Sequence, residues 1–441
     1  MRICVVALGK IGLPLAVQFA TSSPSTPPTE GHTVVGADVS ERVVDLVNAG
    51  REPFPGEHQL DERLAAAVQS GRLRATTDTT AAVRDAEVVV LVVPVFVDAE
   101  GIPDFTSMDA ATRAVAAGLQ PGALVSYETT LPVGTTRGRW ARMLQEGSGL
   151  EAGEGFSLVF SPERVLTGRV FADLRRYPKL VGGVDERSAA AGVRFYEQVL
   201  DFDERADLAR PNGVWDLGST EAAELAKLAE TTYRDVNIGL ANQFARYADT
   251  VGVDVMAVIE ACNSQPYSHI HRPGIAVGGH CIPIYPRIYL WNDPSATVVR
   301  AAREVNAAMP GYAVDLLAAA YGDLSGARVL VLGAAYRAGV KETAFSGVFP
   351  TVAALRGHGA EVFVSDPLYD PGELEALGLR PHRGEPVDAA VVQTDHAAYA
   401  ELTPEDLPEV KVIVDGRRVT DPAKWTGVRR IVIGGPSATP A

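Results

Sequence analysis

Short apolar runs rich in Val and Ile recur along the chain, each followed by a glycine-rich or polar turn and then by residues with helical spacing. Residues 3–8 form the first run, followed by Gly9-Lys10-Ile11-Gly12 and a helical pattern through Phe19. A strand with no polar face has to be covered on both sides, and strands of this kind alternating with helices predict a doubly wound parallel sheet. Residues 33–37 continue the pattern and end at Asp38, and residues 88–93, 124–127 and 158–160 extend it. The polar Ser/Pro/Thr stretch at 21–29 reads as an enlarged loop.

The character changes at about residue 219, where a long helical pattern begins that reaches about residue 250. Ser219 or Thr220 is its N-cap, and Glu221 and Glu224 lie in its first turn. A second helix at 255–261 has Asp254 as N-cap and leads into a Pro/Gly-rich loop at 266–286, too long for a plain connector. Strand-turn-helix then restarts with residues 327–332, Gly333-Ala334-Ala335, and a strand at 362–365 that ends at Asp366. Residues 389–393, 412–414 and 431–433 complete it, and the tail after Gly434 is expected to fray. The expectation is an α/β protein with two Rossmann-like doubly wound parallel-sheet domains, 1–205 and 313–441, joined by a long central helix within a helical segment at 206–312.

Apolar residues make up 46% of the 441 and charged residues 22%, which suits a folded protein large enough for more than one core. A net charge of -15 without any long Lys/Arg run argues against nucleic acid as a partner. Cys4, Cys262 and Cys281 fit no disulfide or zinc spacing, so no metal is expected and a reducing compartment is. The chain enters a strand-like run at once, without a signal-peptide pattern, and has no apolar stretch long enough to span a bilayer; the expectation is a cytoplasmic protein without a membrane partner.

Gly9, Lys10, Ile11 and Gly12 stand where a dinucleotide-binding turn belongs, between the first strand and the first helix. Gly9 lets backbone N–H groups approach a pyrophosphate, and Gly12 lets strand and helix pack closely; Ala7 replaces the usual first glycine. Glycine turns also join strands to helices for packing reasons alone. Asp38 points to the ligand: a carboxylate ending the second strand accepts from both ribose hydroxyls and repels a 2'-phosphate, which favours NAD.

In Gly278-Gly279-His280-Cys281-Ile282-Pro283 a single cysteine follows two glycines in a proline-bounded loop. Most lone cysteines are buried and inert, the expectation for Cys4 and Cys262; Cys281 differs because its glycines leave the sulfur accessible. With this loop, several motifs in order resemble the UDP-glucose and UDP-N-acetylhexosamine 6-dehydrogenase family along nearly the whole chain. They are Gly9 to Gly12 with Asp38, Thr129-Thr130-Leu131-Pro132-Val133-Gly134-Thr135-Thr136, Ser161-Pro162-Glu163-Arg164-Val165-Leu166, Glu224-Leu225-Ala226-Lys227-Leu228-Ala229-Glu230, and Asp415-Gly416-Arg417-Arg418.

The resemblance implies oxidation of carbon 6 of a UDP-sugar from alcohol to carboxylate with two NAD per turnover. Cys281 would form a thiohemiacetal and then a thioester. Lys227 would stabilise charge on the sugar oxygen. Glu163, as base, and Thr130 would hold the hydrolytic water. Pro94 and Thr130 join the cofactor set. Glu163, Arg164, Val165, Leu166, Lys227, Thr231, Gly279, Tyr336, Arg337 and Arg417 form the substrate set, with Arg337 and Arg417 on the diphosphate. Without the resemblance, Lys227 reads as a solvated charge, Glu163 as a partner of Arg164, and Arg417 as half of a surface pair.

Four positions depart from the family pattern. Tyr285 stands where an aspartate is expected four residues after the cysteine. Thr231 replaces an asparagine one turn beyond Lys227, Thr343-Ala344-Phe345-Ser346 lacks an arginine, and Val95 replaces a threonine. These leave open an alternative, a nucleotide-sugar-binding protein of the same fold with partial or lost catalysis. A 6-phosphogluconate-type or 2-hydroxyacid dehydrogenase would account for the Rossmann half and the long helix, but not for the Gly-Gly-His-Cys loop. The long helix also predicts a homodimer.

Overall fold

The computed structural model describes residues 1–22, 31–98 and 101–436. The chain gathers into two compact units, Met1–Ala229 and Glu230–Ala441. The helical segment that follows Glu230 therefore belongs to the same unit as the C-terminal sheet.

In the first unit the strands are β1 (Arg2–Val6), β2 (Thr33–Ala37), β3 (Leu73–Thr76), β4 (Val88–Leu91), a small hairpin of β5 (Phe96–Val97) and β6 (Pro103–Asp104), β7 (Leu124–Tyr127), β8 (Ser157–Phe160), β9 (Lys179–Gly183) and β10 (Val214–Asp216). Apart from the hairpin they form one sheet in the order β10-β9-β8-β7-β4-β1-β2-β3. Successive residues of β1 enter opposite cores: Ile3 and Val5 pack with Phe19 and Phe195, Cys4 and Val6 with Tyr127 and Trp140. This two-sided burial is what the polar-free runs require. Cys4 is fully buried, which pushes its thiol up to about 12 despite the nearby Arg74. From β1 the chain adds β2 and β3 on one side and then returns to β4 on the other, so the topological switch lies between β1 and β4.

The expected all-parallel sheet has one antiparallel pairing, which reverses β9 and, beside it, β10. β9 runs antiparallel to β8, pairing Phe160 with Gly182 and Val159 with Gly183. The chain leaves the carboxyl edge of β8 and re-enters the sheet from that same edge, which needs no crossover. The first helix is Gly12–Thr21, so Thr21 closes it; residues 23–29 of the expected loop lie outside the described residues.

The helix Thr220–Val251 carries the chain from the first unit into the second. There Val255–Asn263 follows, with the Asp254 side chain accepting from the Met256 N–H as an N-cap. The long loop ends at helix Tyr285–Asn292, and Thr297–Tyr321 leads to the sheet. β11 (Arg328–Leu332), β12 (Glu361–Ser365), β13 (Ala389–Val392), β14 (Val412–Asp415) and β15 (Arg429–Val432) are all parallel, in the order β12-β11-β13-β14-β15. Met309, Leu317 and Val255 share one core with Val329, Val331 and Val391. Of the expected frayed tail, residues 437–441 lie outside the described residues, and Gly434 is held by its carbonyl, which accepts from Val255 and Arg418. Among the described residues no helix is long and apolar enough to cross a membrane.

Candidate active site

The turn after β1 shows a division of labour among its small residues. A Cβ on Gly12 would lie 1.9 Å from the Ala7 carbonyl oxygen, so strand and helix meet only because that position is glycine. Around Gly9 the same test finds open space, which leaves its backbone approachable. Ala7 takes the left-handed φ of 75° that a glycine would adopt without strain. Asp38 lies across this turn, its Oδ2 accepting from Leu8 N at 2.8 Å and its Oδ1 from Ser40 N at 2.9 Å. In the second unit the matching Asp366 is instead buried against its own turn, accepting from Ala334 and Ala335 N–H groups at 2.7 and 2.9 Å and facing His396.

The other predicted residues of the first unit follow the carboxyl ends of neighbouring strands. Exposed Pro94 comes after β4, and Thr129 and buried Thr130 come after β7; Thr129 Oγ1 donates to the Val93 carbonyl at 2.7 Å and ties these two turns together. The Ser161–Leu166 stretch comes after β8, with Ser161 Oγ donating to Leu180 O at 2.7 Å. Within it, Arg164 Nη1 donates to Pro178 O, Leu166 N to Asp173, and Val165 packs on the core. Lys227 is 7% exposed and donates from Nζ to the Glu163 main-chain oxygen at 2.7 Å, which is not the position of a solvated charge.

Glu163 is less open than a simple base. Its Oε1 accepts from Arg164 N at 2.8 Å and its Oε2 from Lys179 Nζ at 2.9 Å, while Lys179 also reaches Glu128 Oε2 at 2.6 Å. Burial raises the Glu163 carboxyl, but the Lys179 charge and the hydrogen bond with Glu128 outweigh it, and the net effect holds it below the usual carboxylate range. Glu128 is driven the other way, to about 7, chiefly by burial, against the pull of Lys179 and with the push of Glu163. Neither Glu128 nor Lys179 was singled out from sequence; no motif marks them. Glu224 lies near the start of the long helix, where a carboxylate complements the helix dipole. Its carboxylate also accepts from Gly134 N at 2.6 Å and Thr136 N at 2.9 Å and so caps the turn that follows Thr130.

In the second unit Cys281 is half-buried, and its carbonyl accepts from Ile284 and Tyr285 N–H groups at 3.2 and 2.8 Å. The glycines before it are explained by packing: a Cβ on Gly278 would meet Tyr336 Cβ at 2.7 Å, and one on Gly279 the Tyr336 ring at 2.9 Å. Both ends of the loop are moored to the two long helices. Asn242 Oδ1 accepts from Gly274 N at 2.9 Å, and Arg303 Nη1 donates to Ile282 O at 3.3 Å and to buried Asp235 at 2.9 Å. Arg417 also serves this loop, donating to Ala276 O at 3.0 Å and Gln393 O at 2.8 Å; Arg418 pairs with Asp254. Arg337 is exposed beside the Tyr336 ring. Thr231 is buried in the long helix.

A dinucleotide turn at a topological switch, a buried lysine at the same sheet edge, and a half-buried thiol on a moored glycine loop define a class: a nicotinamide-dependent dehydrogenase with a second nucleotide-type domain. The sequence matches the NAD-binding domain of the UDP-glucose/GDP-mannose dehydrogenase family over residues 1–200, its central domain over 221–308 and its UDP-binding domain over 330–422. It is 35% identical over 427 residues to a UDP-N-acetyl-D-mannosamine dehydrogenase of Pyrococcus horikoshii, covering 95% of this chain and 96% of that one. An NDP-N-acetyl-D-galactosaminuronic acid dehydrogenase of Ralstonia solanacearum is 32% identical over 94% of this chain and 95% of its own. The solved P. horikoshii UDP-D-ManNAc dehydrogenase superposes with a TM-score of 0.86 at 34% identity, over 99% and 100% of the two chains. The chain belongs to the UDP-glucose/GDP-mannose dehydrogenase family, and its cofactor is NAD.

Proposed function

We propose that this enzyme oxidises carbon 6 of a UDP-N-acetylhexosamine from alcohol to carboxylate, reducing two NAD per sugar. The buried Lys227, its ammonium held on the Glu163 carbonyl at the carboxyl edge of the NAD-binding sheet, carries this reading, because the first hydride leaves from a carbon whose oxygen must shed its proton and gather negative charge. Bound NAD accepts each hydride. Gly9 to Gly12, Asp38, Pro94 and Thr130 bind it, and Cys281 adds to the aldehyde to give a thiohemiacetal, whose oxidation leaves a thioester for water to cleave. Glu163 takes the proton of that water with Thr130 orienting it. Arg164, Val165, Leu166, Thr231, Gly279, Tyr336, Arg337 and Arg417 serve the UDP-sugar directly or through the loop they hold. The names of the N-acetylhexosamine relatives favour that sugar class.

The segments 1–205, 206–312 and 313–441 serve cofactor, thiol and UDP in turn. Leu240, Phe244, Tyr247 and Val251 expose an apolar stripe at helical spacing, which supports a homodimer through the long helix, and the free cysteines suit the cytoplasm. The test is a panel of UDP-sugars with NADH counted per sugar consumed. Two NADH from a UDP-N-acetylhexosamine is the expected result, one means that Tyr285 has cost the enzyme its second step, and none from any UDP-sugar overturns the reading. For the dimer, Phe244→Glu should halve the mass seen by light scattering.

A further inference from the structure

Lys179 touches both Glu128 and Glu163, at 2.6 and 2.9 Å, and all three side chains are almost wholly enclosed. The remaining carboxylate oxygens have fixed donors: Tyr196 OH to Glu128 Oε1 at 2.6 Å, itself 2.7 Å from Ser126 Oγ, and Arg164 N to Glu163 Oε1 at 2.8 Å. The two carboxylates repel each other across that ammonium, which raises the affinity of Glu128 for a proton.

We infer that the base of thioester cleavage is the Glu128–Glu163 pair on Lys179, with Glu128 a positioning residue that shares through Glu163 the proton Glu163 receives. This deepens the function proposed above and rests on it. Two carboxylates on one ammonium leave a buried net charge of -1, and uptake of one proton neutralises the cluster. Glu163 alone on Lys179 would already be neutralised, and gaining a proton would leave the ammonium buried and unpaired. The second carboxylate therefore makes Glu163 able to accept. In the step itself the water oxygen bonds to the thioester carbon, its proton passes to Glu163, and the C–S bond breaks with its electron pair left on the Cys281 sulfur. The product is the sugar acid. The titration belongs to the pair, and Glu128 pushed up to about 7 places it near neutrality. The groups facing the pair are Lys179 from β9, Tyr196 from helix Glu186–Val199, Ser126 from β7 and Lys227 on the Glu163 carbonyl.

Glu128→Gln keeps the shape and removes the second charge. With Lys179 left wholly to Glu163, the base weakens: the acid limb of kcat should move down by about one pH unit or more and the plateau should fall about ten-fold, while KM for the sugar and the first NADH burst stay within about two-fold. Glu128→Asp should return the limb towards the wild-type position. A folded Glu128→Gln enzyme with the wild-type limb and plateau overturns the inference, whereas a wild-type enzyme that makes no NADH overturns the function itself. Should Glu128→Gln fail to fold, Tyr196→Phe removes one donor to the ionised pair and should move the limb to higher pH; an unmoved limb there is equally fatal.

Discussion

Lys227 Nζ donates to the main-chain oxygen of Glu163 at 2.7 Å, so the lysine of the long helix and the segment after β8 are joined through backbone rather than through the carboxylate. The Glu163 carboxylate instead accepts from Lys179 and from the Arg164 N–H. The Glu163 side chain and the Lys227 contact can therefore be removed separately.

Lys227→Ala removes the ammonium and strips the Glu163 carbonyl of that donor. Steady-state NADH formation should fall by about 10²–10³-fold, the scale of losing one preformed donor to a developing oxyanion. The melt should drop by an amount equivalent to about 1–3 kcal/mol. Turnover within a few-fold of wild type would remove Lys227 from the mechanism.

Glu163→Gln leaves the lysine contact intact because that contact is to the backbone. The first NADH should still form, and intact-mass spectrometry should find sugar held on Cys281 as the thioester. Undiminished steady-state turnover in this variant excludes Glu163 as the group that takes the proton.

Gly12→Ala puts a methyl 1.9 Å from the Ala7 oxygen and should cost about 1–3 kcal/mol while weakening NAD binding, read by calorimetry. Ala7→Gly acts the other way. It relieves the positive φ of 75° and should stabilise the unit by up to about 1 kcal/mol, offset in part by the freedom glycine gives the unfolded chain.

Arg303→Ala leaves Asp235 buried without its cation and frees the Ile282 carbonyl. Thermal unfolding should show a loss of about 3–5 kcal/mol, the usual result of breaking one side of a buried pair. Alkylation of Cys281 should become faster as its loop loosens, and an unchanged rate would separate Arg303 from the positioning of the thiol.

Much of this was legible in the chain because it is written locally. Polar-free runs announce strands covered on both faces, Asp254 announces a helix start, and the Gly9 to Gly12 turn needs only its place between strand and helix. β3 escaped because Arg74 and Thr76 break its apolar run, β10 because it has only three residues, and Lys179-Leu-Val-Gly-Gly with its two glycines looks more like a turn than a strand. The glycines beside Cys281 were legible as a close approach, but what approaches them in the structure is Tyr336, more than 50 residues away in sequence.

Sequence by itself determined the two sheets and the dinucleotide turn, since each rests on neighbours along the chain. Only the tertiary structure decided what surrounds Glu163. Because β9 runs antiparallel to β8, its first residue, Lys179, stands at the carboxyl edge of the sheet beside Glu128 and Glu163. A parallel β9 would have placed that ammonium at the opposite edge, since the direction of a strand determines which end of it meets the site, and pairing direction is a property of long-range contacts that no local pattern records.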